Sequence, residues 1–186
     1  MISSIHWCMM VPIVNKLKQA YPAATTDNIN FMAMSFMICI SVDNPICAWF
    51  TERFGLKYAL WLGCGACTIG GILKSFINDD YTYLIVGQTI IAIFFPLFYI
   101  NESKLSANWF PKHERIYSTM IGMLTANFGC SFGFIFPDWF VPRASTNPSV
   151  EEIKSSIQKM LNYLWIFQVV QFVIMIIFFK ERALPS

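Results

Sequence analysis

The chain has 186 residues, of which 56% are hydrophobic and only 13% are charged, and its mean hydropathy is +0.52. Because an ordinary soluble domain carries roughly a quarter charged residues, this composition excludes a water-soluble globular protein. It indicates an integral, multi-pass membrane protein whose main partner is the lipid bilayer. A net charge of +2, with no basic run outside the predicted loops, argues against a nucleic-acid partner.

Long apolar segments predict an all-α protein, a single six-helix bundle over residues 1–186. A helix needs about 20 mostly apolar residues to cross the hydrocarbon core, because backbone N–H and C=O groups find no water there. The first segment, at about 2–14, is too short to cross alone and is interpreted as part of a span whose beginning is missing. Complete spans are predicted at about 30–50, 58–77, 81–100, 117–136 and 160–179.

Spans two and three form a predicted helical hairpin around a short charged turn. The turn holds Glu52, Arg53 and Lys57 and is too short to form a domain, so its charges must lie at one membrane face. Gly55 suits the sharp reversal of the chain. Span three then presents a smooth surface for close helix packing, made by Gly63, Gly65, Ala66, Gly70 and Gly71.

The placement of lysine and arginine predicts which loops face the cytosol. The turn after span two, the loop after span four and the tail after span six carry Arg53, Lys57, Lys104, Lys112, Arg115, Lys180 and Arg182. The opposite side, mostly in longer loops, carries Lys16, Lys18, Arg143, Lys154 and Lys159. The positive-inside rule therefore places the first set in the cytosol.

No metal centre, cofactor site or enzyme active site is predicted. Cys64 and Cys67 have C-x-x-C spacing, but no second pair or histidine cluster accompanies them, and Cys in an apolar run behaves as a small hydrophobe. His6 and His113 lack the spacing of metal ligands. The sequence also has no nucleophile elbow and no phosphate-binding loop.

Several local motifs together resemble one known family. They are WFTERFGLK at 49–57, GGILK at 70–74, SKLSANWFPKHE at 103–114 and GxxxGFxxP at 129–137. This combination is similar to the feline leukaemia virus subgroup C receptor-related family, a branch of the major facilitator superfamily linked to choline, ethanolamine and haem transport. The resemblance implies one half of a twelve-span transporter. A partner is therefore expected, either a missing C-terminal half or a second subunit.

The resemblance, together with the sequence, suggests four candidate substrate-binding residues. The family places a first-span Trp over the cationic head of its ligand, and Trp7 occupies that place; packing or lipid contact is the alternative. Asn127 lies where the family has a Gln near the ligand, and an interhelical hydrogen bond is the alternative. Asp43 is the clearest intramembrane acid and should face a cavity or a partner, unless it lies close enough to the cytosolic end to snorkel. Gln88 is the fourth candidate, with helix packing as its alternative.

Four charged residues near the predicted cytosolic face are candidate gating or interfacial ion pairs. They are Glu52, Arg53, Lys104 and Arg115. The superfamily's turn after span two usually reads Asp-x-Arg-Gly, whereas here Glu52-Arg53-Phe54-Gly55 moves the cation by one place.

The sequence therefore predicts a secondary transporter, or half of one, for small organic solutes such as choline, ethanolamine or haem. A quaternary ammonium is the favoured substrate, because an aromatic ring face attracts such a cation by roughly 0.5 to 2 kcal/mol. In such carriers the substrate site lies near the bilayer midplane between the two halves. The alternative is a non-transporting membrane subunit or scaffold that retains the transporter fold.

Overall fold

The computed structural model describes residues 2–141 and 148–179. Over these residues the chain is helical, without strands, and its helices are α1 (Ile2–Cys8), α2 (Val14–Ala20), α3 (Thr26–Phe54), α4 (Leu56–Ser75), α5 (Thr82–Phe94), α6 (Pro96–Trp109), α7 (Arg115–Ile135) and α8 (Val150–Phe178). A 3₁₀ turn, Phe136–Trp139, follows α7. Five helical stretches are long and apolar enough to cross a membrane, with α5 and α6 counted as one. The predicted all-α, polytopic fold class is confirmed.

The first predicted segment is a broken helix rather than a continuous one. α1 ends at Cys8, and α2 begins at Val14 after a turn in which the Val11 N–H bonds to the Cys8 carbonyl. Pro12 lies in this turn and has no N–H to donate, which interrupts the helical ladder. The two short pieces consequently pack separately, α1 mainly against α7 and α2 against α8.

The predicted hairpin is formed by α3 and α4, and a single residue separates them. Gly55 adopts φ 91°, a conformation that favours glycine, and its N–H bonds to the Thr51 carbonyl. α3 begins four residues before the predicted start of span two, because the Thr25 side chain accepts a hydrogen bond from the Asn28 N–H. Pro45 lies inside α3.

The fourth span is longer than the sequence predicts and is divided in the middle. Pro96 occupies the first turn of α6, where its missing N–H costs little. The helix then continues through the polar run at 101–104, which the sequence places at the end of the span. The reason is tertiary: buried Asn101 donates to Thr51 Oγ1 at 2.9 Å and to the Leu97 carbonyl at 2.7 Å.

The last helix begins about ten residues before the predicted sixth span. Ser149 and Glu152 form a capping box at its start, each side chain bonding to the other's backbone N–H. The segment predicted as a polar loop before the span is therefore helical from Val150 onward. Arg143, Lys180 and Arg182, which contribute to the predicted orientation, lie outside the described residues.

A polar network ties the helix ends together at the side of the bundle opposite Gly55. The Tyr21 hydroxyl donates to Asn78 Oδ1, and Asn78 Nδ2 donates to Gln158 Oε1 at 2.8 Å. Lys154 lies over the Tyr21 ring at 5.3 Å. Burial raises the pKa of Tyr21 to about 12, so its hydroxyl remains a donor at neutral pH. The network joins α2, the α4–α5 turn and α8.

Replacement of Asn78 should weaken this junction. We expect Asn78→Ala to lower the free energy of unfolding by about 1 to 2 kcal/mol, because two side-chain hydrogen bonds are lost. Thermal unfolding of the purified chain in detergent measures the effect. Asp79→Ala, at the neighbouring exposed position of the same turn, is the matched control, and equal melting temperatures for the two variants would contradict the expectation.

Candidate functional site

One cavity of the bundle lies between α1, α4, α6, α7 and α8. Its volume is about 190 Å³, below the roughly 300–1,000 Å³ typical of small-molecule pockets. Most of its wall comes from α6 and the residue before it, with the first turn of α1 opposite. The lining residues are Ser3, Ser4, Leu60, Phe95, Phe98, Tyr99, Asn101, Glu102, Leu105, Gly122, Ala126 and Gln171.

One carboxylate is placed against this cavity by helical spacing. Phe95, Phe98 and Glu102 recur at three- and four-residue intervals and therefore share one face of the span. Glu102 is partly exposed, and among the residues that the structure describes it has no ion-pair partner. The site thus combines aromatic rings with one carboxyl group, which suits a small organic cation.

Gly122 on α7 provides the space that the carboxyl group occupies. A Cβ at this position would collide with Glu102 Oε1 and would stand 2.7 Å from its carboxyl carbon. The contact atoms are the far end of a flexible side chain, so the glycine is required by the position of the carboxylate rather than by helix packing. Any larger residue here would move the charge.

Two amide oxygens on the cavity wall have no hydrogen-bond partner. Asn101 Oδ1 and Gln171 Oε1 are both buried and unpaired in the described part of the chain. Because buried polar atoms in folded proteins are nearly always paired, these oxygens are available acceptors. They can accept hydrogen bonds from an ammonium or hydroxyl group that enters the cavity.

Trp7 lies one helical turn beyond the serines of the cavity and joins an aromatic cluster. Its ring stacks on Phe36, with centroids 5.8 Å apart and planes 9° apart, and meets the edge of Phe95 at 6.0 Å. Phe95 itself lines the cavity. Trp7 is therefore connected to the site through one shared ring, while one of its own faces is covered by Phe36.

The other three predicted substrate-binding residues lie elsewhere. Asn127 is exposed on α7, next to the cavity residue Ala126. Asp43 lines a shallow groove of about 280 Å³ between α3 and α5, with Ser35 and Thr89. Gln88 is fully buried and donates to a backbone carbonyl of α1. The structure thus brings none of them into the cavity of Glu102.

Two of the four predicted gating charges meet at the end of the bundle that contains Gly55. Lys104 Nζ on α6 lies 3.6 Å from Glu52 Oε1 on α3, and the glutamate side chain is 74% exposed. A pair this exposed contributes little stability, roughly 0 to 1 kcal/mol. Arg53 is exposed, and Arg115 Nε donates to the Phe110 carbonyl at 3.1 Å.

Glu102 is not among the substrate-binding residues predicted from the sequence, although the spacing of its neighbours could have indicated it. The polar run at 101–104 indicates the end of a span, so the sequence places Glu102 in a loop. Its spacing from Phe95 and Phe98 predicts a shared helix face once the helix is known to continue. That continuation depends on the contact between Asn101 and Thr51, which sequence alone does not reveal.

The sequence of the chain matches a known protein family and several known proteins. The sequence profile of the Major Facilitator Superfamily matches residues 1–183. Solute carrier family 49 member A3 of Xenopus tropicalis is 26% identical over 137 residues, which cover 68% of this chain and 28% of that protein.

The choline/ethanolamine transporter FLVCR2 also matches, in two mammals. The Homo sapiens protein is 23% identical over 185 residues, covering 98% of this chain and 34% of the relative. The Rattus norvegicus protein is 22% identical over 172 residues, covering 91% and 31%. The chain spans about a quarter to a third of the length of the curated relatives it matches. With the profile match over nearly its full length, the chain belongs to the major facilitator superfamily as an integral, multi-pass membrane protein.

Proposed function

We propose that this chain forms one half of a carrier that moves small organic cations across a membrane by alternating access. The observation that carries the proposal is the cavity in which Glu102 lies beside Phe95, Phe98 and Tyr99. Within residues 2–141 and 148–179 this glutamate forms no ion pair. Aromatic rings and one carboxylate are the groups that recognise a quaternary or primary ammonium. The carrier performs no covalent chemistry.

Within this class, choline and ethanolamine fit the site better than haem. Each carries one positive charge and one hydroxyl, which match the Glu102 carboxylate and the free amide oxygens of Asn101 and Gln171. Haem carries two propionates, and a site with a single negative charge repels them. The names of the FLVCR2 relatives support the same substrate class.

A second six-helix unit is part of this proposal. Superfamily carriers hold their substrate between two halves, and the cavity described here has a wall from one half alone. The second unit would come from a longer product or from another copy of the chain. Trp7, Asn127 and Asp43 are proposed to act at that shared site, and the Glu52–Lys104 pair is proposed to close the cytosolic side.

Binding of radiolabelled choline to the chain in lipid nanodiscs, together with choline uptake by cells that express it, tests this function. We expect Glu102→Gln to weaken choline binding by at least roughly tenfold, or about 1.4 kcal/mol, because the one carboxylate among the described lining residues is lost. Trp7→Ala should weaken it as well, because Trp7 packs against Phe95, which lines the cavity.

Glu151→Gln is the matched control. Glu151 is exposed at the start of α8, 20 residues before Gln171, the lining residue on that helix. It should bind choline like the parent chain. Equal affinity of the Glu102→Gln variant and the parent would contradict the assignment of the site. Absence of uptake by this chain and by a version that carries a second half would contradict the substrate class.

A further inference from the structure

Polar side chains from four helices meet inside the bundle, apart from the cavity that Glu102 lines, which is called the cation cavity below. They are His6 on α1, Lys74 on α4, Gln88 on α5 and Gln168 on α8, and each is at most 1% exposed. Lys74 Nζ lies 3.2 Å from His6 Nδ1. Gln88 Nε2 donates to the His6 carbonyl oxygen at 3.0 Å, and Gln168 adjoins the His6 ring.

This cluster contains a buried cation-forming side chain without a counter-ion. Among residues 2–141 and 148–179, no carboxylate forms an ion pair with Lys74. Gln88 Oε1 is also buried without a hydrogen-bond partner in the described part of the chain, while the Gln168 side chain interacts with the His6 ring. Ionisable groups within membrane-spanning helices are costly and usually functional, and unpaired buried polar atoms require an explanation. The cluster is therefore a candidate binding site.

The packing around Lys74 limits what this site can hold. A Cβ on Gly87 would stand 2.9 Å from Lys74 Cγ and 3.2 Å from the backbone nitrogen of Lys74. A Cβ on Gly71 would stand 3.3 Å from Trp165 Cβ. Gly87 therefore packs closely against the backbone and the stem of Lys74. The ligand that needs no additional volume is a proton.

We propose that Lys74 and His6 together bind one exchangeable proton. Their contact is a hydrogen bond only if one of the two nitrogens keeps its lone pair, so in this arrangement the pair carries at most one positive charge. In the protonated state the ammonium donates to the neutral imidazole. When the proton leaves, an amine and an imidazole remain, and no other reactant is required.

The other titratable groups around the pair are mostly thiols. Lys74 interacts with Cys67, which precedes it by seven residues on α4, and Cys67 in turn contacts Ser3 of α1. α5 and α8 contribute amides to the cluster. Other titratable groups on α1, α4 and the elements packed against them include the thiols Cys8, Cys39, Cys47, Cys64 and Cys130, the carboxyl groups Asp43 and Glu102, which line the groove and the cavity respectively, and the exposed Tyr83 and Tyr163. The same elements also carry Asp27, Glu52, Arg53, Lys57, Tyr58, Tyr99, Lys104, Arg115, Tyr117, Glu151, Glu152, Lys154 and Lys159.

The proton site and the cation cavity share helix α1, and this consequence rests on the proposed function. His6 immediately precedes Trp7, and the cavity residues Ser3 and Ser4 lie within one turn of His6. A positive charge on the Lys74–His6 pair repels an organic cation bound in the cavity at the other end of α1. Cation binding should therefore release the proton, which couples the two ligands as an exchanger.

Nuclear magnetic resonance of the chain in nanodiscs tests the site without any substrate. The sequence contains two histidines, so His113→Gln leaves His6 as the single labelled ring. We expect the ¹⁵N signals of the His6 ring to change in one step between about pH 5 and pH 9, the range in which such a proton exchanges. Lys74→Met should abolish that step or move its midpoint by at least about one pH unit.

Lys154→Met is the control, because Lys154 lies over Tyr21 rather than in the cluster; it should leave the His6 titration unchanged. A His6 ring whose signals do not change with pH in the His113→Gln chain would overturn the proposal, and so would an identical titration in the Lys74→Met variant. Proton release on addition of choline is a separate measurement. Its absence, with an intact His6 titration, would contradict the coupling to the cation and leave the proton site established.

Discussion

Gly70→Ala should destabilise the bundle more than any other single methyl group added to α4. A Cβ at Gly70 would stand 2.7 Å from the Gly87 carbonyl oxygen and 2.7 Å from Ile91 Cγ1. The carbonyl belongs to the backbone of α5 and cannot rotate away, so the two helices must separate. We expect a loss of about 3 kcal/mol, the upper end for overpacking, and a fall in melting temperature of roughly 6–12 °C.

Gly65→Ala is the matched control on the same helix. A Cβ at Gly65 meets only the Phe172 ring, at an ordinary 3.5 Å, and alanine has the higher helix propensity, by about 1 kcal/mol. This variant should be neutral or slightly more stable. A double variant, Gly70→Ala with Gly87→Ala, should lose less than the sum of the two single losses, because each added methyl separates the same pair of backbones. Equal melting temperatures for Gly65→Ala and Gly70→Ala would contradict the close crossing of α4 and α5.

Gly122→Leu should abolish cation binding while the bundle remains folded. The leucine side chain would take the place of the Glu102 carboxyl group and fill part of the cavity of about 190 Å³. We expect choline affinity to fall by roughly 100-fold, or about 2.7 kcal/mol. The melting temperature should change little, because the displaced atoms are the mobile end of Glu102 rather than backbone. Nanodisc binding and thermal unfolding measure the two effects separately.

The comparison for Gly122→Leu is Thr125→Leu, which adds a leucine to α7 at an exposed position outside the cavity wall. It should bind choline like the parent chain. If Gly122→Leu also binds choline normally, the cavity around Glu102 is not the cation site.

The fold class can be predicted from the sequence because the bilayer restricts which structures can span it. Backbone groups within lipid must be satisfied by their own helix, so long apolar segments predict helices without any tertiary information. The predicted superfamily and fold class are confirmed. The helix ends are less accessible, because they depend on side-chain bonds. Thr25 extends α3, and the capping box at Ser149 starts α8 well before the apolar segment.

The interior polar groups are the part that sequence reasoning misses. A lysine near the end of an apolar segment usually extends its amine to the interface, yet Lys74 turns inward because His6 lies beside it. Likewise, Asn101 indicates a loop until its bond with Thr51 is known. Both residues are placed by partners at least 50 positions away, and no local pattern encodes such pairs. For Gln88 the sequence offers two interpretations, ligand contact and helix packing, and the structure shows a fully buried side chain between helices.

The one-residue link at Gly55 bears on how the protein is made. Consecutive Cα atoms are about 3.8 Å apart, so α3 and α4 remain joined at one end throughout synthesis. We expect the pair to insert as one unit, with the corner that carries Arg53 and Lys57 on the cytosolic side. The two helices therefore enter the fold as one hairpin, against which neighbouring helices can pack.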